Sequence, residues 1–154
     1  MNKYKCILVI DSNRSLMLAE ERVLKNQKYQ VYTASNGAEG LHKAKKLKPD
    51  AILLDIFMPG LDGYQVGRTL KEDDETSDIP IIFLCGEDET REKNNGVSAG
   101  LREINLAFEC GASDYLLKPV DPDDLVRSVK NALWFTEISL HGREPVYDTD
   151  AKVM

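Results

Sequence analysis

The sequence contains no apolar run near the roughly 20 residues that a membrane-spanning helix requires. Nor does a signal-peptide layout precede its first strand-like run, because Met1 to Lys5 lead straight into it. A cytoplasmic chain is the expectation. Positive charge is also short, with a formal net charge of -6, so the basic footprint of a nucleic-acid-binding or anionic-membrane-binding module is missing. Neither nucleic acid nor membrane is expected as a direct partner. Cysteine is scarce: Cys6, Cys85 and Cys110 are widely spaced, odd in number and set among apolar neighbours. That excludes a disulfide framework and a metal knuckle, and leaves reduced, mostly buried thiols. His42 and His141 have no Cys or His partner at metal-ligand spacing, and both read as surface residues.

What is present is one core's worth of apolar residues, 42% of 154, enough for a single domain and too few for two. Cys6 to Ile10 is a short continuous apolar run ending at Asp11. Ala51 to Leu54 ends likewise at Asp55, and Ile79 to Leu84 at Cys85. Such runs suit parallel strands covered on both faces. Gln30 to Ala34 is a further strand of poorer alternation, and Tyr115 to Leu117 is another that stops at Lys118-Pro119. Helical stretches lie between them. Ser15 to Asn26 carries Leu16, Ala19, Val23 and Leu24 on one face, and Ala38 to Leu47 carries Leu41, Ala44 and Leu47. Tyr64 to Glu72 makes a third helix, and Leu101 to Cys110 a fourth with Leu101, Ile104 and Phe108 as its stripe. The fifth starts at Asp121 as cap, with Pro122 in the first turn and Asp123 and Asp124 favouring the positive helix end, and runs to about Ile138.

Five strand-helix repeats imply right-handed crossovers and a doubly wound α/β sandwich around a five-stranded parallel sheet. Ligands bind such sheets at the carboxyl ends of the strands, beside the switch in strand order. That rule selects Asp11, Asp55, Cys85 and Lys118. Two converging carboxylates repel unless a cation sits between them, and a hard oxygen site of this kind suits Mg2+. With Lys118 opposite, a carboxylate nucleophile and positive charge are together, as phosphoryl transfer onto an aspartate requires.

Asp55-Ile56-Phe57-Met58-Pro59-Gly60-Leu61-Asp62-Gly63 resembles the loop after the third strand of response-regulator receivers, where Asp is followed by Met-Pro and then Asp-Gly. Gly111 to Pro119 resembles the family's Gly-Ala segment, fifth strand and Lys-Pro ending, and Ile7 to Asp11 its first strand. The likeness covers residues 4 to 140 in order. It implies a flavodoxin-like receiver fold over residues 1–140, with a polar tail or linker over 141–154. It also implies that Asp55 is the phosphoacceptor, that Lys118 contacts the phosphoryl group, and that Asp11 and the backbone carbonyl of Phe57 join Asp55 at the Mg2+. Tyr115 matches the family's aromatic switch, or else is a plain core tyrosine. Pro119 would follow a cis peptide bond.

The sequence departs from that family at three places. Ser12 stands where a second acid, the direct metal ligand, is usual, so Mg2+ affinity is expected to fall. Cys85 stands where Thr or Ser contacts the phosphoryl oxygen, and a thiol donates weakly, so the coupling to loop movement weakens. A lowered-pKa redox cysteine is the sharper reading of Cys85, and a small buried residue the plainer one. The charged run Glu87 to Gly96 lengthens the segment after the fourth strand. It reads as a solvated loop or as an alteration of the face formed by the fourth helix, fifth strand and fifth helix. Phe57 cannot orient an attacking water, so an acyl phosphate on Asp55 is expected to be long-lived.

The leading reading is a receiver that takes a phosphoryl group from a histidine kinase or phosphotransfer protein and changes its binding to a second copy or an output domain. The second is a degenerate receiver, an interaction module independent of phosphorylation. No enzymatic turnover is expected beyond the chain's own phosphorylation and dephosphorylation. Haloacid-dehalogenase-type phosphatases need an Asp where Phe57 stands, and flavodoxin-like electron carriers need a phosphate loop that does not follow Asp11.

Overall fold

A computed structural model describes residues 4–86 and 99–142. The run 87–96 and the segment from 143 onward lie outside the described residues. Along the described chain run β1 (Cys6–Ile10), α1 (Arg14–Asn26), β2 (Gln30–Ala34), α2 (Gly37–Leu47) and β3 (Ala51–Asp55). They are followed by α3 (Gly63–Glu72), β4 (Ile81–Gly86), α4 (Ala99–Glu109), β5 (Ala112–Lys118) and α5 (Pro122–His141). All neighbouring strands are parallel, in the order β2-β1-β3-β4-β5. The order reverses between β1 and β3, the two strands that end at Asp11 and Asp55.

The continuous apolar strands follow from a sheet covered on both sides. Leu8, Ile10, Ile52, Leu54, Ile81 and Phe83 face a core closed by Ala44 of α2, Val66 and Leu70 of α3 and Ala107 of α4. Ile7, Val9, Leu53, Ile82 and Leu84 face the other, closed by Met17 and Leu24 of α1 and Leu125, Val129 and Ala132 of α5. Each fully buried aliphatic side chain stabilises the fold by about 1.5–3 kcal/mol. The helix starts are set by polar caps. Asn13 and Asn36 accept from Leu16 and Glu39 amides, Asp62 and Gln65 form a reciprocal capping box, and Asp121 accepts from Asp123 and Asp124.

Several sequence expectations shift. β4 begins at Ile81 rather than Ile79, because Pro80 has no N–H to give the ladder and contributes only its carbonyl, 3.0 Å from the Ile52 amide. β5 starts earlier than Tyr115, at Ala112, and skips a residue against β4 between the Ile81–Ala112 and Ile82–Asp114 pairs. That bulge sets which face each later side chain takes. α5 continues past Ile138 to His141, where Gly142 at φ 62 ends it in the left-handed conformation. On α1 the buried residues are Met17, Glu20 and Leu24, while Ala19 is exposed. On α4 Phe108 is exposed and Glu103, Ala107 and the following Cys110 are buried. The Leu101 side chain lies outside the described residues. Both helices are thus rotated about one residue from the expected stripe, since a carboxylic acid occupies part of each buried face.

Candidate functional site

The parallel register delivers the site. Ile10 of β1 pairs with Leu54 of β3, and Asp55 pairs with Leu84 of β4. Cys85 and Gly86 pair with Leu117 and Lys118 of β5. Asp11, Asp55, Cys85 and Lys118 therefore all stand at the carboxyl edge of the sheet. Gly63 permits α3 to start tight against that edge, because a Cβ there would lie 2.4 Å from the Asp55 carbonyl oxygen.

Asp11, Asp55 and Lys118 meet in one pocket. Lys118 Nζ lies 3.0 Å from both Asp11 Oδ1 and Oδ2 and 3.4 Å from Asp55 Oδ1. Asp11 also accepts from the Asn13 amide at 2.8 Å. Ser12, exposed at the rim, donates its hydroxyl to Asp55 Oδ2 at 3.4 Å. Asp11, Asp55 and Lys118 are 0%, 2% and 7% exposed, so the pocket is a small, buried charge cluster. Burial alone would lower the Lys118 pKa, but Asp55 and then Asp11 overrule it and hold the ammonium above its ordinary value.

A fourth titratable group, beside this pocket, escaped the sequence reading. Glu20, from α1, is 5% exposed and lies within electrostatic reach of Asp11, Lys118 and Asp55. Burial first, then the Asp11 charge, push its pKa from 4.5 up to about 8, with Lys118 pulling the other way. Its Oε2 has no hydrogen-bond partner among the described residues. The legible signal was the spacing of Met17, Glu20 and Leu24, one acid inside a core stripe.

Asp11 and Asp55 are hard oxygen donors of the kind that Mg2+ prefers. Among the described residues no group of three or more His, Cys, Asp or Glu side chains could hold a metal ion, so a cation here would rest on these two carboxylates and backbone oxygen. Both Asp11 oxygens are directed at Lys118.

The other expected residues fall around this pocket. Phe57 follows Asp55 in the loop before α3, its ring packed on the core shared by α2, α3 and α4. Cys85 is fully buried, with its thiol 3.5 Å from the Gly86 carbonyl, a setting that shields it from solution oxidants. Tyr115 packs against the same core. Burial, then the neighbouring Cys85 thiol, raises its pKa. The Lys118–Pro119 bond is cis. Beside Tyr115, Tyr64 of α3 stacks on Phe83 at 6.1 Å and donates its hydroxyl to the buried Glu103 carboxylate of α4. His42 is exposed, and the His141 side chain lies outside the described residues.

A family model described as the response regulator receiver domain matches residues 7–130. Protein PilH of Pseudomonas aeruginosa is 37% identical over 127 residues, covering 82% of this chain and 96% of PilH. The alkaline phosphatase synthesis transcriptional regulatory protein PhoP of Bacillus subtilis is 36% identical over 140 residues, 91% of this chain and 53% of PhoP. Among solved structures, a response regulator from Chloroflexus aurantiacus aligns with a TM-score of 0.75 at 33% identity, covering 85% of this chain and 98% of its own. The chemotaxis protein CheY4 of Vibrio cholerae aligns at 0.70 and 25% identity, covering 84% and 98%. Strand order, the position of the acidic pocket and these relatives agree, and the chain belongs to the response-regulator receiver domain family.

Proposed function

We propose that Asp55 accepts a phosphoryl group from a histidine kinase or phosphotransfer protein, and that its phosphorylation changes which partner the chain binds. The observation that carries this reading is the buried Asp55 carboxylate at a strand end with Lys118 Nζ 3.4 Å away. An Asp55 oxygen attacks phosphorus, the bond to the donor imidazole breaks, and its electron pair leaves with the imidazole. Lys118 then neutralises the oxygens of the transferred group, which means turning part of its hold on Asp11 toward Asp55. Ser12 steadies the other Asp55 oxygen. Mg2+, held by Asp11, Asp55 and the Phe57 carbonyl, would supply further positive charge to the same oxygens. Phe57 offers no hydrogen bond to an attacking water, which favours a long-lived acyl phosphate.

The thiol of Cys85 beside Tyr115 is the route by which the pocket reaches the face formed by α4, β5 and α5. On that face Phe108 and Leu117 are 50% and 49% exposed, a surface suited to an output domain or second copy. The chain turns over no substrate beyond its own phosphorylation and dephosphorylation. A cytoplasmic setting accords with the absence, among the described residues, of a helix long and apolar enough to cross a membrane.

The bidentate Lys118–Asp11 contact and the neutral Ser12 favour a second reading, a receiver whose pocket is closed by its own lysine and which binds partners without phosphorylation. Incubation with Mg2+ and acetyl phosphate separates the two. Intact mass is expected to rise by one phosphoryl group in the native chain and not in Asp55→Asn. No adduct at any Mg2+ concentration overturns the first reading in favour of the second.

A further inference from the structure

At the amino ends of β4 and β5, away from the acidic pocket at their carboxyl ends, lies a groove of about 620 Å³. One wall is polar, with Ser77 before β4 and Ser113 and Asp114 of β5, and the other is apolar, with Phe135 and Leu140 of α5. These two side chains are 63% and 52% exposed, and an open apolar surface rimmed by polar residues marks a place where something docks. Lys71 also lines the groove. It donates to the Ser77 and Ile79 carbonyls at 3.1 and 2.7 Å and makes no ion pair among the described residues. An ammonium carries three donors, so one N–H and the charge are left for an incoming acid.

The chain itself supplies an occupant. α5 delivers Leu140 to the groove and ends at Gly142, whose φ of 62 and amide bond to the Ile138 carbonyl turn the backbone off the helix axis. The sequence then reads Arg-Glu-Pro-Val-Tyr-Asp-Thr-Asp over 143–150, an apolar pair flanked by acids, which complements an apolar wall beside an unpaired ammonium. From Phe135 to Gly142 is about 10 Å along the helix, and from Gly142 to Tyr147 an extended chain reaches up to about 17 Å. The reach suffices. We propose that the groove is the docking site of residues 143–150 of the same chain, with Val146 and Tyr147 against Phe135 and Leu140 and with Glu144 or Asp148 on Lys71. Attachment holds this segment at high effective concentration, so it outcompetes a free ligand of equal affinity. Docked there, the chain leaves the domain alongside β5 and α5, two of the three elements of the proposed partner face. The proposal does not rest on phosphorylation of Asp55.

NMR of the whole labelled chain tests it. In the wild type, nuclear Overhauser effects are expected between the Tyr147 ring and the Leu140 methyls. In the double variant Val146→Ser, Tyr147→Ser, the amides of Ser77, Ser113 and Asn131, which line the groove, are expected to shift while those of Asp11, Ser12 and Asp55 stay. Both substitutions fall outside the described elements, so the core is untouched. The single tryptophan, Trp134, gives a second reading because it meets Phe135 edge-on at 5.0 Å. Its emission is expected to move to longer wavelength in the double variant. Absence of the Tyr147–Leu140 contacts overturns the proposal, as do groove amides and Trp134 emission that match the wild type in the double variant. Groove shifts that grow with protein concentration and survive the double substitution assign the groove to a second copy and overturn it equally.

Discussion

Glu20 carries a cost that can be read without any metal. In the fold its carboxyl holds a proton up to about pH 8, because burial and the Asp11 charge oppose ionisation, whereas in the unfolded chain it loses that proton near the ordinary 4.5. The folded state then binds the extra proton, so its stability declines as pH rises from 4.5 to about 8 and is lowest above that range. Asp11, Asp55 and Lys118 are the charged groups that face it. Without divalent cations, Glu20→Gln is expected to be more stable than wild type by roughly 1–3 kcal/mol at alkaline pH and no different at about pH 4. Urea unfolding midpoints in EDTA across that range check this, and a wild-type curve that rises with pH between the two values contradicts it. Asp11, Asp55 and Lys118 were legible in the sequence because each follows a short apolar run at a strand end. Glu20 was not, because a charged residue on a helix is ordinarily assigned to water and the apolar stripe was drawn around it.

Among the elements, α4 shows the same effect. Its sequence stripe pointed to Ile104 and Phe108, yet Glu103 and Ala107 face the core. The Tyr64 hydroxyl from α3 makes burial of Glu103 tolerable, and it also contacts the Glu103 backbone carbonyl at 3.3 Å. Removing it with Tyr64→Phe leaves a buried acid without that donor, at a cost of about 1–3 kcal/mol. Amide exchange is expected to quicken in α4 and to stay slow in α1 and α5. Exchange that quickens evenly over the molecule would show that the bond does not tie α3 to α4. The pairing was hidden from the sequence because Tyr64 and Glu103 are 39 positions apart, and no local periodicity links them. β5 was shortened in the sequence reading for a related reason. The skipped residue near Ser113 breaks the alternation that marks a strand, and a bulge is visible only against its partner strand. The β1, β2 and β3 runs, in contrast, were placed almost to the residue, since the sheet buries them evenly or, for β2, brackets them with turns.

At the scale of the molecule, the pocket and the exposed apolar face occupy different parts of the surface but share β5. Lys118 ends that strand in the pocket, while Leu117 beside it points to solvent at 49% exposure. Phe108→Ser and Leu117→Ser are therefore expected to change stability by less than about 0.5 kcal/mol while reducing self-association or partner capture after acetyl phosphate treatment. Sedimentation velocity with and without the phosphodonor measures it. Association equal to wild type in both variants would place the contact elsewhere. The Lys118–Asp11 ion pair has one more consequence, which concerns synthesis. Its two residues are 107 positions apart, and the lysine ends the last strand of the sheet. A nascent chain that has emerged only through β4 has both aspartates and no ammonium to hold them together. The pocket thus assembles last, and on the proposed reading a phosphodonor meeting an unfinished chain finds no lysine beside Asp55.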